Sequence, residues 1–118
     1  MKTVSVKLTT RQVGDVTVID AAGRITLGEG ASSLRDAIRE TVNAGNKKIL
    51  LNLGEVNYID SSGIGELVSA YTTVTNQGGH LKLLGLNKRI QDLLQITKLY
   101  TVFECHDDEA VAVRSFSS

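Results

Sequence analysis

Four times along this 118-residue chain a short apolar strand-like pattern gives way to an amphipathic helical one. That repeated change of period constrains the fold more than any other feature. Strands alternating with helices predict a mostly parallel sheet joined by right-handed crossovers. Ahead of the first switch, Val4, Val6 and Leu8 alternate with polar residues, as in a half-buried strand. Gly14-Asp15 interrupts the alternation, and Val16, Val18 and Ile19 open a second strand running to Ala22. Two strands around a short Gly-containing turn predict an antiparallel pair.

Beyond "GRITLGEG", Leu34, Ala37, Ile38, Thr41 and Val42 recur at helical spacing. Ser32 or Ser33 is the expected cap, and Gly45 the expected stop. "KKILLNL" is a nearly continuous apolar run, which fits a strand covered on both faces. A second helix follows Asp60, with Ile64, Leu67, Val68, Tyr71 and Val74 as its stripe and Gly78-Gly79 at its end. "HLKLLGL" reads as a strand. Asn87 caps a third helix whose inner face carries Ile90, Leu93, Leu94 and Thr97. "YTVFEC" reads as the last strand, and Asp107-Asp108 starts a final helix, acids suiting a helix N-terminus. The expected order is β-β-α-β-α-β-α-β-α: one α/β domain over residues 1–118 with about four helices.

Composition narrows the function. Hydrophobic residues make up 42%, enough for a core, while 13 basic and 13 acidic residues cancel. A neutral chain with no basic run longer than two residues and 4% aromatics does not have the make-up of a nucleic-acid binder or an anionic-membrane binder. The start, MKTVSVKLTT, has no continuous apolar segment and reads as neither signal peptide nor membrane span. Cys105 is the single cysteine, so no disulfide or cysteine metal cluster is expected, and a reducing cytoplasm fits. The apolar alternation of the first strand allows edge pairing between two copies of the chain.

One helix start is oddly built. In "NYIDSSGIGE" (residues 57–66) an apolar run ends in Asp60, and Ser61, Ser62, Gly63, Ile64 and Gly65 follow. The first amides of a helix lack intrahelical partners, and the dipole places positive charge there. A phosphate on a serine at this point could accept those amide bonds, adding about −1.5 to −2 charges without breaking the helix. Gly63 and Gly65 each cost about 1 kcal/mol in a helix interior. Without side chains, they would let a partner backbone or a kinase approach the hydroxyls. Asp60 could orient a serine hydroxyl. The competing explanation is capping: serine is a common N-cap, which accounts for the hydroxyls but not for the glycines.

Catalytic readings find few parts. His80 and His106 are the only histidines, no G-x-S-x-G elbow is present, and "GRITLGEG" lacks the Gly-Lys-Ser/Thr ending of a P-loop. Adjacent acids in "CHDDE" at a helix start do not converge on a metal. Cys105 reads as a buried strand residue and each histidine as a solvated loop residue.

At these residues the chain resembles the STAS domain family, specifically the bacterial anti-sigma factor antagonists. "ILLNLGEVNYIDSSGIGELVSAY" is similar to the family's central strand and switch helix, and "GGHLKLLGLNKRIQDLLQITKLYTVFECHDDEAVA" to its later half. The resemblance implies a single STAS domain without catalytic activity or cofactor. It implies phosphorylation at Ser61, with Ser62 second, by a partner anti-sigma factor serine kinase. The unphosphorylated form would bind that kinase and free a sigma factor, and a phosphatase would reset the cycle. The implied docking surface is Asp60, Ser62, Gly63, Ile64 and Gly65, with Thr26 on the adjoining loop. Thr26 stands where the family often carries an acid, in a segment reading Gly23-Arg24-Ile25-Thr26. Stand-alone STAS domains also serve as subunits of lipid-transport ATPases or as stress-signalling scaffolds, the alternative reading.

Overall fold

Gly14, at φ +63°, turns the chain between β1 (Val6–Val13) and β2 (Val16–Ile25), a conformation that a side chain would strain. A computed structural model describes residues 6–117 of the protein, so Val4 lies outside the described residues. The two strands pair antiparallel, from Val6 against Gly23 to Val13 against Val16. After them the chain runs α1 (Glu29–Asn43), β3 (Lys48–Ile59), α2 (Ser61–Asn76), β4 (His80–Leu84) and α3 (Lys88–Ile96). A 3-10 turn (Leu99–Thr101), β5 (Cys105–His106) and α4 (Glu109–Ser115) complete it.

The five strands lie in chain order, β1 at one edge, and every pairing after the first is parallel. Such sequential, right-handed crossovers put the connecting helices on one face. There Leu34 and Ile38 of α1, Leu67 and Val74 of α2, and Ile90 and Leu94 of α3 pack on Ile19, Ile49, Leu51, Leu53 and Leu83. Among the described residues, the opposite face is covered by α4 alone, whose Ala112 and Phe116 meet Val16, Val18, Leu50 and Leu84. β3 is thus buried on both faces, as its apolar run predicts. Each fully buried Leu or Ile contributes about 1.5–3 kcal/mol, so this two-sided strand is the centre of the core.

Several local expectations are corrected. The first helix begins before Ser32 and Ser33: Gly28 is its N-cap and no side chain caps it. Carbonyls of Thr26 and Gly28 accept from Ala31 and Ser32 instead, each at 3.0 Å. Gly45 does end that helix: its N–H donates to Val42, and that of Asn46 to Thr41. β2 continues past Ala22 to Ile25. Thr97, expected inside, is exposed as the C-cap of α3. "YTVFEC" is not the last strand: β5 is Cys105–His106 and shares only Cys105 with it. Lys98 adopts the left-handed conformation at φ 62°, the chain turns, and Phe103 drops into the core edge-on to Tyr71 at 5.4 Å. Phe103 alone anchors this loop, while Tyr100 and Val102 are exposed. Cys105 is in β5 but exposed, and His106 is in β5 with Nε2 2.6 Å from Glu104 Oε2, not loose in a loop.

Asn87 and Asp108 behave as expected, accepting from the amides of Ile90 (2.9 Å) and Val111 (3.0 Å). No helix among the described residues is long and apolar enough to cross a membrane.

Candidate functional site at the start of α2

β2 and β3 end together, Ile25 beside Ile59. The next bond extends that ladder: the Asp60 N–H donates to the Ile25 carbonyl at 3.2 Å. This brings the loop after β2 (Thr26, Leu27, Gly28) against the start of α2. Both lie at the carboxyl ends of the parallel strands, where open α/β sheets place their functional surfaces.

Asp60 is the N-cap of α2, in extended conformation. Its Oδ1 accepts the Gly63 N–H at 2.9 Å, and its Oδ2 accepts the Leu27 N–H at 3.0 Å. The carboxyl is therefore held below its usual range, chiefly by the Gly63 amide; desolvation opposes this, and the Leu27 and Ser62 amides add to it. One expectation changes. Asp60, not a serine, caps the helix, so capping does not account for Ser61 or Ser62. Of the first amides of α2, that of Gly63 is taken by the carboxylate.

Ser61 is the first residue of α2 and is exposed; Ser62 is half-buried. The two glycines do different work. Gly63 is buried: a Cβ there would come 2.5 Å from the Ile25 carbonyl oxygen and 2.5 Å from Ile59 Cγ1. It lets α2 start hard against the ends of β2 and β3, not a partner approach the hydroxyls. Ile64 is 5% exposed and belongs to the core. The expectation that Gly63 and Ile64 form the docking surface is corrected, because the helix turns both inward. Gly65 is exposed with nothing within 4 Å of its Cβ position. The accessible face is Ser61, part of Ser62, and Gly65. Thr26 is half-buried beside Asp60, its carbonyl used by Ala31. Glu66 points toward α1, its Oε2 3.7 Å from Arg35.

Sequence reasoning missed Leu27. It is 79% exposed, the most exposed large hydrophobic among the described residues, and its own amide is fixed by Asp60. The available signal was its context: one leucine in "GRITLGEG", outside both the strand and the helix period.

A family profile for the STAS domain matches residues 7–112. The chain belongs to the STAS domain family. Over 52 residues, 44% of its length, this STAS domain is 40% identical to the anti-sigma-B factor antagonist of Bacillus subtilis, covering 48% of that protein. It is 36% identical over 59 residues to that of Listeria monocytogenes, 50% and 52% of the two chains. The STAS domain spans between 48% and 62% of the length of the curated relatives it matches. Its fold superposes on an anti-sigma factor antagonist from Mycobacterium paratuberculosis with a TM-score of 0.84 at 16% identity, covering 97% and 96% of the chains. A STAS domain protein from Planctomyces limnophilus gives 0.80 at 23% identity, covering 94% and 98%. These likenesses establish the single α/β STAS fold with its antiparallel β1–β2 pair.

Proposed function

We propose that this STAS domain is an anti-sigma factor antagonist that works by binding, in the cytoplasm. It docks on a serine-kinase anti-sigma factor, the sigma factor is freed, and phosphorylation of Ser61 ends the contact. The curated relatives named as anti-sigma factor antagonists support this reading. The observation that carries it is the state of Ser61: exposed at the first helical position, with the capping role taken by Asp60. Its hydroxyl is left over for chemistry that the fold does not need.

In the transfer, the Ser61 oxygen forms a bond to the γ-phosphorus of ATP held by the kinase. The bond from that phosphorus to ADP breaks, and the hydroxyl proton passes to a base of the kinase. A phosphatase reverses the modification by hydrolysis. The added dianion would stand next to the Asp60 carboxylate and beside exposed Leu27, so an apolar contact surface becomes a charged one. Docking through Leu27, Ser61 and Gly65 would be lost while the core stays as it is.

The test is incubation with the cognate kinase and ATP, followed by mass spectrometry. One phosphate on Ser61 is expected. An unchanged mass, or a phosphate mapped elsewhere than Ser61 or Ser62, overturns the switch.

A further inference from the structure

Arg24 on β2 and Tyr58 on β3 are paired in register, with the Arg24 guanidinium carbon 4.9 Å from the ring centroid. A second guanidinium, from Arg89 in the first turn of α3, lies 5.3 Å from the same centroid. Asn87 holds that helix start in place, donating from Nδ2 to the Val56 carbonyl at 2.9 Å. Both arginines are exposed and Tyr58 is half-buried. Like charges converge on one ring, which the attraction of each cation for the aromatic face makes tolerable.

What sets the pair apart is the shared ring, and neither guanidinium on it has a counter-charge among the described residues. Arg11 is held by Asp20 and Glu109, and Arg35 lies near Asp36 and Glu66. Asp92, three residues beyond Arg89, is engaged by Lys88 at 3.3 Å. Among the described residues, neither Arg24 nor Arg89 has a carboxylate within 4.0 Å or a side-chain hydrogen bond. Two guanidinium groups are thus left with donors available, and a planar guanidinium can take a carboxylate bidentately. The cluster precedes Ser61 by three residues, roughly 10 Å along an extended chain, at the same end of the sheet as Leu27.

We propose that Arg24 and Arg89, held on the Tyr58 ring, receive a carboxylate side chain from an acidic segment of the protein that docks at Ser61. This rests on the docking function above and adds the partner's charge at one point. Tyrosine and arginine are the residue types that most often carry binding energy at the centre of interfaces. Leu27 supplies the apolar neighbour, and the arginine pair supplies orientation.

The experiment is an NMR titration of the isolated chain with a hexaglutamate peptide, following the arginine side-chain N–H and Tyr58 ring signals. Saturable shifts at Arg24, Arg89 and Tyr58 are expected, with affinity at least tenfold weaker in the R24Q/R89Q double variant. Both side chains are exposed, so the variant should keep its melting temperature. No saturable shift in the wild type, or equal affinity in the double variant, overturns the proposal. Tighter binding of an oligothymidylate of equal charge also overturns it, in favour of a nucleic-acid contact. The peptide titration needs no kinase and the Ser61 phosphorylation test needs no arginine, so either can fail while the other stands.

Discussion

Asp60 and Leu27 are joined by one hydrogen bond across 33 residues of sequence, the Leu27 N–H donating to Asp60 Oδ2 at 3.0 Å. With its other oxygen on Gly63, the same carboxylate fixes both a helix start and the loop that carries the most exposed leucine. Asp60→Ala should therefore cost about 1–2 kcal/mol through the lost cap and loosen the loop as well. Thermal unfolding reads the first effect, and faster hydrogen exchange at the Leu27 amide reads the second. Asp60→Asn should fall between, keeping an acceptor for Gly63 but presenting an amide group toward the Leu27 N–H.

Ser61 caps nothing, so Ser61→Ala should change stability by less than about 0.5 kcal/mol. Ser61→Asp should weaken binding to the anti-sigma factor and leave the melting temperature nearly unchanged. Calorimetry of the free variants, beside a binding measurement, separates the two effects. A large stability loss in either variant would mean that the hydroxyl does structural work.

The two glycines should respond oppositely to alanine. Gly63→Ala forces a Cβ to within 2.5 Å of the Ile25 carbonyl oxygen and Ile59 Cγ1. Overpacking of this kind against backbone costs about 1–3 kcal/mol. Gly65→Ala adds its methyl into open space, and alanine's helix propensity should stabilise the protein by about 1 kcal/mol. Denaturant midpoints of the two variants check the contrast. If Gly65 admits a partner closely, its alanine variant should bind more weakly despite its greater stability.

Stability should fall on acidification. Asp20 and Glu109 are pulled below their usual range by hydrogen bonds from Arg11, Glu104 by one from Lys82, and Asp60 by the Gly63 amide. Each binds protons more weakly folded than unfolded. Their contribution is complete above the unfolded values near 4 and is lost as pH falls through the lower folded ones, roughly from pH 5 downward. All four are largely solvent-screened, so the individual effects are modest. Arg11→Gln removes the cause of two depressions and should flatten the pH dependence of urea unfolding in that range. Because Arg11 also links β1 and β2 to α4 through Asp20 and Glu109, the variant should loosen α4 first.

The order of elements was legible because each strand and helix carries its own apolar period. Leu34, Ile38 and Val42 mark one face of α1 whatever else the chain does, and the two-sided burial of Ile49, Leu50 and Leu51 follows from an unbroken apolar run. The motif around Ser61 was legible too, as a run of residue types that ordinary helix starts do not combine. The last strand was misread for the opposite reason: Val102 and Phe103 look like a strand pattern, but Lys98 turns the chain and Phe103 is used as a plug against Tyr71.

Periodicity, then, identifies the one-domain α/β plan and points to residues 57–66 as the place where it departs from routine. Packing between distant segments determines the rest: which of Asp60 and Ser61 caps, that Gly63 faces Ile25 while Gly65 faces solvent, that Leu27 is tied to Asp60, and that Arg24 and Arg89 meet on the Tyr58 ring. A period along the chain reports which face of an element is apolar. It carries no information about which residue of another element arrives opposite, and that is set only when β2, β3, α2 and α3 come together around a shared core.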